Sequence, residues 1–92
     1  MKVVWTRGAI ADRKAVFDHI AEDDLGAAID LDNRFARIIG RLSGFPEIGR
    51  PGLIAGTREL IPHPSYRVVY QLEADEVVIL TLVHTARRWP PA

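Results

Sequence analysis

Cysteine is absent from this chain of 92 residues. Its absence excludes disulfides, thiolate nucleophiles and cysteine-held metals, and it suits a reducing compartment. Lysine is scarce, with only Lys2 and Lys14. Twelve Lys and Arg balance twelve Asp and Glu, so the chain lacks the strong positive charge of most nucleic-acid binders. No apolar run approaches the roughly 18–20 residues that a membrane span needs. Met1-Lys2 leads into only a few apolar residues before Thr6-Arg7-Gly8, unlike a secretory leader. A cytoplasmic protein is the expectation. The histidines His19, His63 and His84 stand at no metal-ligand spacing, so neither metal nor cofactor is expected. Ser43 and Ser65 lack a His-Asp context. Gly49-Arg50-Pro51-Gly52 lacks the Lys and the following helix of a Walker loop. It reads as a turn whose glycines take φ > 0.

What is present points to one small globular domain over residues 1–92. Apolar residues make up 48% of the chain, too many for disorder. A chain this short buries roughly 60–65% of its unfolded surface. Its stability margin is modest, so a partner covering apolar surface would help it. Charge is segregated along the chain. Asp12, Asp18, Glu22, Asp23, Asp24, Asp30 and Asp32 crowd the first third, while arginines spread from Arg34 to Arg88.

Hydrophobic spacing predicts a β-α-α-β-β-β order, an α+β fold. Residues 2–6 are a short β-prone run, and Thr6 is placed to cap a helix. Ile10, Val16, Phe17, Ile20 and Ala21 recur at helical spacing. Asp23 or Asp24 caps a second helix with the stripe Ala28, Leu31, Phe35, Ile38, Ile39 and Leu42. Gly40 weakens that helix, and Gly44 and Pro46 end it. Residues 43–56 read as loop. Strands follow at 57–61, 66–73 and 76–83. Pro62-His63-Pro64-Ser65 is too stiff to join the ladder. The last strand is apolar on both faces, so it is central. The expectation is a helical hairpin on one face of a largely antiparallel four-stranded sheet, with Phe35 and Leu80 in the core.

Arginine carries the chemistry. In Tyr66-Arg67-Val68-Val69-Tyr70, alternation sets Arg67 opposite the tyrosines. Facing away from the helices, Arg67 would sit mid-sheet beside the strand that ends in His84, with Arg87 following. Arginines converging on one concavity suit a phosphodiester. The other reading pairs Arg67 with Glu59 or Glu73 across strands.

Four segments in order resemble the RelE/ParE family of bacterial toxins: Gly49-Arg50-Pro51-Gly52, Arg58-Glu59-Leu60, Tyr66-Arg67-Val68-Val69-Tyr70 and His84-Thr85-Ala86-Arg87-Arg88-Trp89-Pro90. The resemblance spans nearly the whole chain. It implies the toxin half of a type II toxin–antitoxin pair, silenced by an antitoxin whose disordered tail folds onto it. The RelE-like branch cleaves messenger RNA on the ribosome. Its chemistry uses an arginine on the third strand, which Arg67 matches, and later basic or acid/base residues, for which Arg87 and His84 are the candidates. Its tail tyrosine has no counterpart here, since no tyrosine follows Tyr70. The ParE-like branch lacks the nuclease residues and poisons DNA gyrase by binding, and the ending of this chain is closer to it.

Two function classes follow. One is a non-enzymatic toxin, with Arg58, Arg67, Arg87, Arg88 and Trp89 contacting target or antitoxin. The other is a ribosome-dependent ribonuclease using Arg67, His84 and Arg87. A family member that only binds its antitoxin is a third reading.

Overall fold

The computed structural model describes residues 1–91. Strand β1 (Lys2–Trp5) leads into helices α1 (Arg7–Ala21) and α2 (Leu25–Gly40). A 3-10 turn, Arg41–Ser43, extends α2. Strands β2 (Arg50–Pro51), β3 (Thr57–His63), β4 (Tyr66–Glu73) and β5 (Glu76–His84) complete the chain. The sheet order is β1-β5-β4-β3-β2. β1 runs parallel to β5 and every other pairing is antiparallel. A parallel pair needs a long crossover, and the helical hairpin supplies it. No helix among the described residues is long and apolar enough to cross a membrane.

Local chemistry fixes the helix starts. The Thr6 hydroxyl accepts from the Ala9 amide at 3.1 Å and donates to the Ile79 carbonyl at 2.8 Å. One side chain thus caps α1 and ties it to the sheet. Asp24 caps α2 by accepting from the Ala27 amide at 2.9 Å. Arg13 on α1 makes a two-point ion pair with Asp32 on α2, at 2.6 and 2.9 Å. β1 pairs with β5 only as far as Ile79, which leaves the rest of that β5 edge open. There Asp12 of α1 accepts from the Leu82 amide at 3.2 Å and from the Thr81 hydroxyl at 2.6 Å. A carboxylate takes the place of a neighbouring strand and satisfies an edge donor.

The core lies between the hairpin and one sheet face. Phe35, Ile39 and Leu42 pack on Tyr66, Val68, Tyr70, Val77, Ile79 and Leu82. The α2 stripe is as predicted in its centre. The α1 stripe is not: Ala9 is fully buried while Ile10 is 56% exposed. Leu80 is half-buried and lies outside the central cluster. It is the extra residue where β4 and β5 slip register, with Val69 opposite Thr81 but Tyr70 opposite Ile79.

The sheet has five strands where four were expected. Arg50–Pro51, read as loop, pairs with Arg58 and Glu59 as the edge strand β2. A proline is tolerated there because an edge strand has one side free of partners. β3 also runs on through Pro62 to His63. Pro62 needs no ladder donor because the register shifts between Leu60 and His63, and pairing resumes at His63–Tyr66. The glycines of the 49–52 turn do not take positive φ; among glycines only Gly56 does, at 83°. Gly49 is small for a different reason: a Cβ there would lie 2.5 Å from the Tyr70 hydroxyl oxygen.

Candidate functional site

The two sheet faces divide the predicted site residues. Tyr66, Val68 and Tyr70 point to the helices, so Arg67 and Val69 point away. His84 pairs with Tyr66 in register, and the two rings lie 5.2 Å apart, edge to face. His84 therefore stands on the helix side, and Arg67 on the opposite side. Arg87 lines a shallow depression of about 210 Å³ together with Asp12, His19 and His84. The structure brings His84 and Arg87 together and separates both from Arg67.

On the far face Arg67 is committed. Its Nε lies 3.4 Å from Oε1 of Glu59, a charge contact without hydrogen-bond geometry. Arg50 approaches the same oxygen at 3.5 Å, and the Leu53 amide donates to Oε2 at 3.3 Å. Glu59 is 2% exposed, so a buried carboxylate is compensated by two guanidiniums and one amide. The cross-strand pairing of Arg67 with Glu59 is the arrangement found. Arg58 is committed as well. It projects to the helix side beside Tyr70, and its Nη1 donates to the carbonyls of Glu47 and Gly49 at 3.1 and 2.8 Å. Arg88 is exposed. Trp89 is half-buried, and its indole nitrogen is buried without a hydrogen-bond partner among the described residues.

Tyr70 locks the 46–49 loop over the sheet. Its hydroxyl donates to the Pro46 carbonyl at 2.8 Å and accepts from the Gly49 amide at 2.9 Å. Burial pushes this phenol above the usual tyrosine range, and the Gly49 hydrogen bond and the Arg58 charge only partly offset that.

A cleft of about 540 Å³ lies at the other end of β4. Its floor is a row across three strands: His63 of β3, Tyr66 of β4 and His84 of β5. The His63 and Tyr66 rings are 5.9 Å apart. Its wall is α2, with Arg34 and Arg37 one turn apart. His63 was expected in a stiff loop, and neither Arg34 nor Arg37 was expected at a site. A strand running through Pro62 was the signal that could have placed His63. Among the described residues no three or more of His, Asp and Glu assemble a metal site.

The chain matches, over residues 3–89, the family described as ParE toxin of type II toxin-antitoxin system, parDE. It is 33% identical over 90 residues to the Sinorhizobium fredii protein Y4kP, across 97% of this chain and 93% of that one. It is 35% identical over 86 residues to toxin RelE2 of Caulobacter vibrioides, across 94% of this chain and 97% of that one. A solved structure of the chromosomal ParDE toxin–antitoxin system from P. aeruginosa superposes with a TM-score of 0.80 at 24% identity, covering 91% of this chain and 95% of that one. A near-complete family match and relatives spanning both chains end to end leave one assignment: this chain belongs to the RelE/ParE family, as a ParE-type toxin of a type II toxin–antitoxin system.

Proposed function

We propose that this toxin acts by binding and not by catalysis, that DNA gyrase is its target, and that a cognate antitoxin silences it. One observation supports the binding reading: Arg67 and His84 lie on opposite faces of the sheet. Cleaving a phosphodiester by proton transfer needs a base, a cation for the phosphate and an acid around one reacting atom. Arginine stays protonated and is a poor base, so His84 is the candidate for proton transfer. Arg67, the strand cation, cannot share a reacting atom with it across a packed sheet. A binding toxin needs exposed anchors instead. Arg87 and Arg88 are exposed in the tail next to Trp89, and Arg and Trp dominate interface hot spots.

The antitoxin reading has its own support. Phe45 and Leu53 are 66% and 69% exposed, and Ile48 and Ile54 in the same loop are exposed as well. Apolar loop surface of this kind suits a segment that folds on binding. The ribonuclease reading keeps one support, a carboxylate beside two guanidiniums at Glu59, Arg67 and Arg50. Burial of Glu59 counts against its reaching a substrate.

Induction of the chain alone in bacteria tests the proposal. The expected lesion is double-strand DNA breaks with an SOS response. Immediate translation arrest with cut transcripts would overturn it in favour of the ribonuclease, and unhindered growth would leave only antitoxin binding. His84→Ala is expected to keep toxicity, and Trp89→Ala to lose it with the fold intact. The reverse pattern would also overturn the binding reading.

A further inference from the structure

The cleft over His63, Tyr66 and His84 belongs to none of the roles assigned so far. Most of its polar side chains can donate, with the Asp30 carboxylate the acidic exception. The Ser65 amide donates to His63 Nδ1 at 3.0 Å, and the Ala86 amide donates to His84 Nδ1 at 3.0 Å. A ring nitrogen that accepts carries no proton, so each neutral imidazole holds its N–H at Nε2. The backbone has fixed both tautomers alike. Arg34 and Arg37 have no carboxylate within ion-pair distance among the described residues. The Tyr66 hydroxyl also has no hydrogen-bond partner among the described residues, and it is not among the buried unpaired atoms. Two guanidiniums, two N–H groups and a phenol therefore border one space with few acceptors to answer them.

The occupant that fits is an anion, and two features decide which kind. Ile20, Ala27 and Leu31 form an apolar side of the same cleft. Asp30 also lines it, and the neighbouring helix corner carries exposed Glu22, Asp23 and Asp24. A nucleic-acid backbone bears a charge at every residue and would meet that acidic corner. A peptide can place single carboxylates between apolar side chains, matching cations on one wall and an apolar surface on the other.

We propose that this cleft is a carboxylate-binding site that receives an acidic, apolar-spaced peptide segment of the toxin's protein partner. The proposal rests on the antitoxin reading above. It places the acidic contact at Arg34, Arg37, His63 and His84, not at the far-face Arg67.

The test uses the full chain and the product of the reading frame beside its gene. The double variant Arg34→Glu, Arg37→Glu is expected to weaken that complex about tenfold or more, since a reversed charge repels as well as failing to attract. Arg34→Lys, Arg37→Lys should retain most of the affinity. Arg7→Glu and Arg41→Glu, exposed and outside the cleft, should change it less than about twofold. Unchanged melting of each variant excludes misfolding. Wild-type affinity in the double Glu variant would overturn the proposal while the antitoxin reading stands. If no neighbouring product binds the wild-type chain, the antitoxin reading fails, and the cleft is judged by amide NMR titration. A short capped peptide of leucine, alanine and glutamate should move the signals of residues 34, 37, 63 and 84. A peptide that leaves these signals in place, or an oligoribonucleotide that moves them when the peptide does not, would overturn it.

Discussion

Two tyrosines on one strand and one face, Tyr66 and Tyr70, meet opposite fates. Tyr70 is fully buried, and its hydroxyl both donates and accepts, so every polar capacity at that end of β4 is spent on holding a loop. Tyr66 is 7% exposed, with its ring packed on Phe35 and His84 and its hydroxyl unclaimed by the described residues. The ring of each tyrosine is architecture, and only the hydroxyls differ. A polar group satisfied inside the molecule stabilises the fold, and one left open at a cleft is available to something else. The two ends of β4 thus differ in whether the hydroxyl is spent on holding a loop or left open at a cleft.

Removing what both ends share should have the largest effect. Phe35 packs edge-to-face on Tyr66 with centroids 5.6 Å apart and is 1% exposed. Phe35→Ala should cost about 3–5 kcal/mol by denaturant unfolding, from lost transfer and cavity terms. Unfolding at the parent midpoint would show that the hairpin does not pack as described. Tyr70→Phe comes next. It strands a buried Gly49 amide and a Pro46 carbonyl, so it should cost about 1–3 kcal/mol.

The same residue gives a pH signature. The Tyr70 phenol is raised in the folded state, so the unfolded chain releases its proton first. The folded state then binds more protons, and stability falls as pH rises. The contribution is complete below the ordinary value of 10.0 and is lost above it, through the raised folded value. Unfolding midpoints measured across that alkaline range should fall less steeply in Tyr70→Phe than in the parent. Equal slopes would remove Tyr70 as the cause. Tyr66→Phe is the smallest change. It should shift stability by no more than about 0.5 kcal/mol, because the packing ring is kept and no internal hydrogen bond is lost. A cost comparable to that of Tyr70→Phe would erase the contrast between the two ends.

Much of the frame was legible because local chemistry decides it. Thr6 and the Asp23-Asp24 pair mark the helix starts with side chains able to accept from first-turn amides, and the α2 stripe from Ala28 to Leu42 has one consistent period. The misses depend on distant chain. Arg50–Pro51 becomes a strand only because β3 lies beside it. Ile10 looked like core, but the way α1 crosses the β5 edge turns Ala9 inward instead. The site was less legible than the fold. Alternation sets Arg67 opposite Tyr66 within one strand, but the face of His84 depends on cross-strand register and on the Leu80 slip. Arg34 and Arg37 carry no signal of their own on an exposed helix face. Only tertiary structure brings them over the ends of β3, β4 and β5, where His63, Tyr66 and His84 lie.

β1 has a single strand partner, and that partner is the last strand: Lys2 pairs with Glu76 and Trp5 with Ile79. Residues 2–5 therefore cannot be paired until residues 76–79 have been made. Val77, Ile79 and Leu82, against which the helices pack, arrive equally late. Contacts this far apart in sequence form slowly and only after the long loop between them closes. Until β5 is made, neither β1 nor the helical hairpin has the strand against which it is placed. A product truncated before β5 would lack both the strand that β1 pairs with and the apolar residues beneath the helices. Completion of β5 is thus the step that lets the two ends of the fold close on each other.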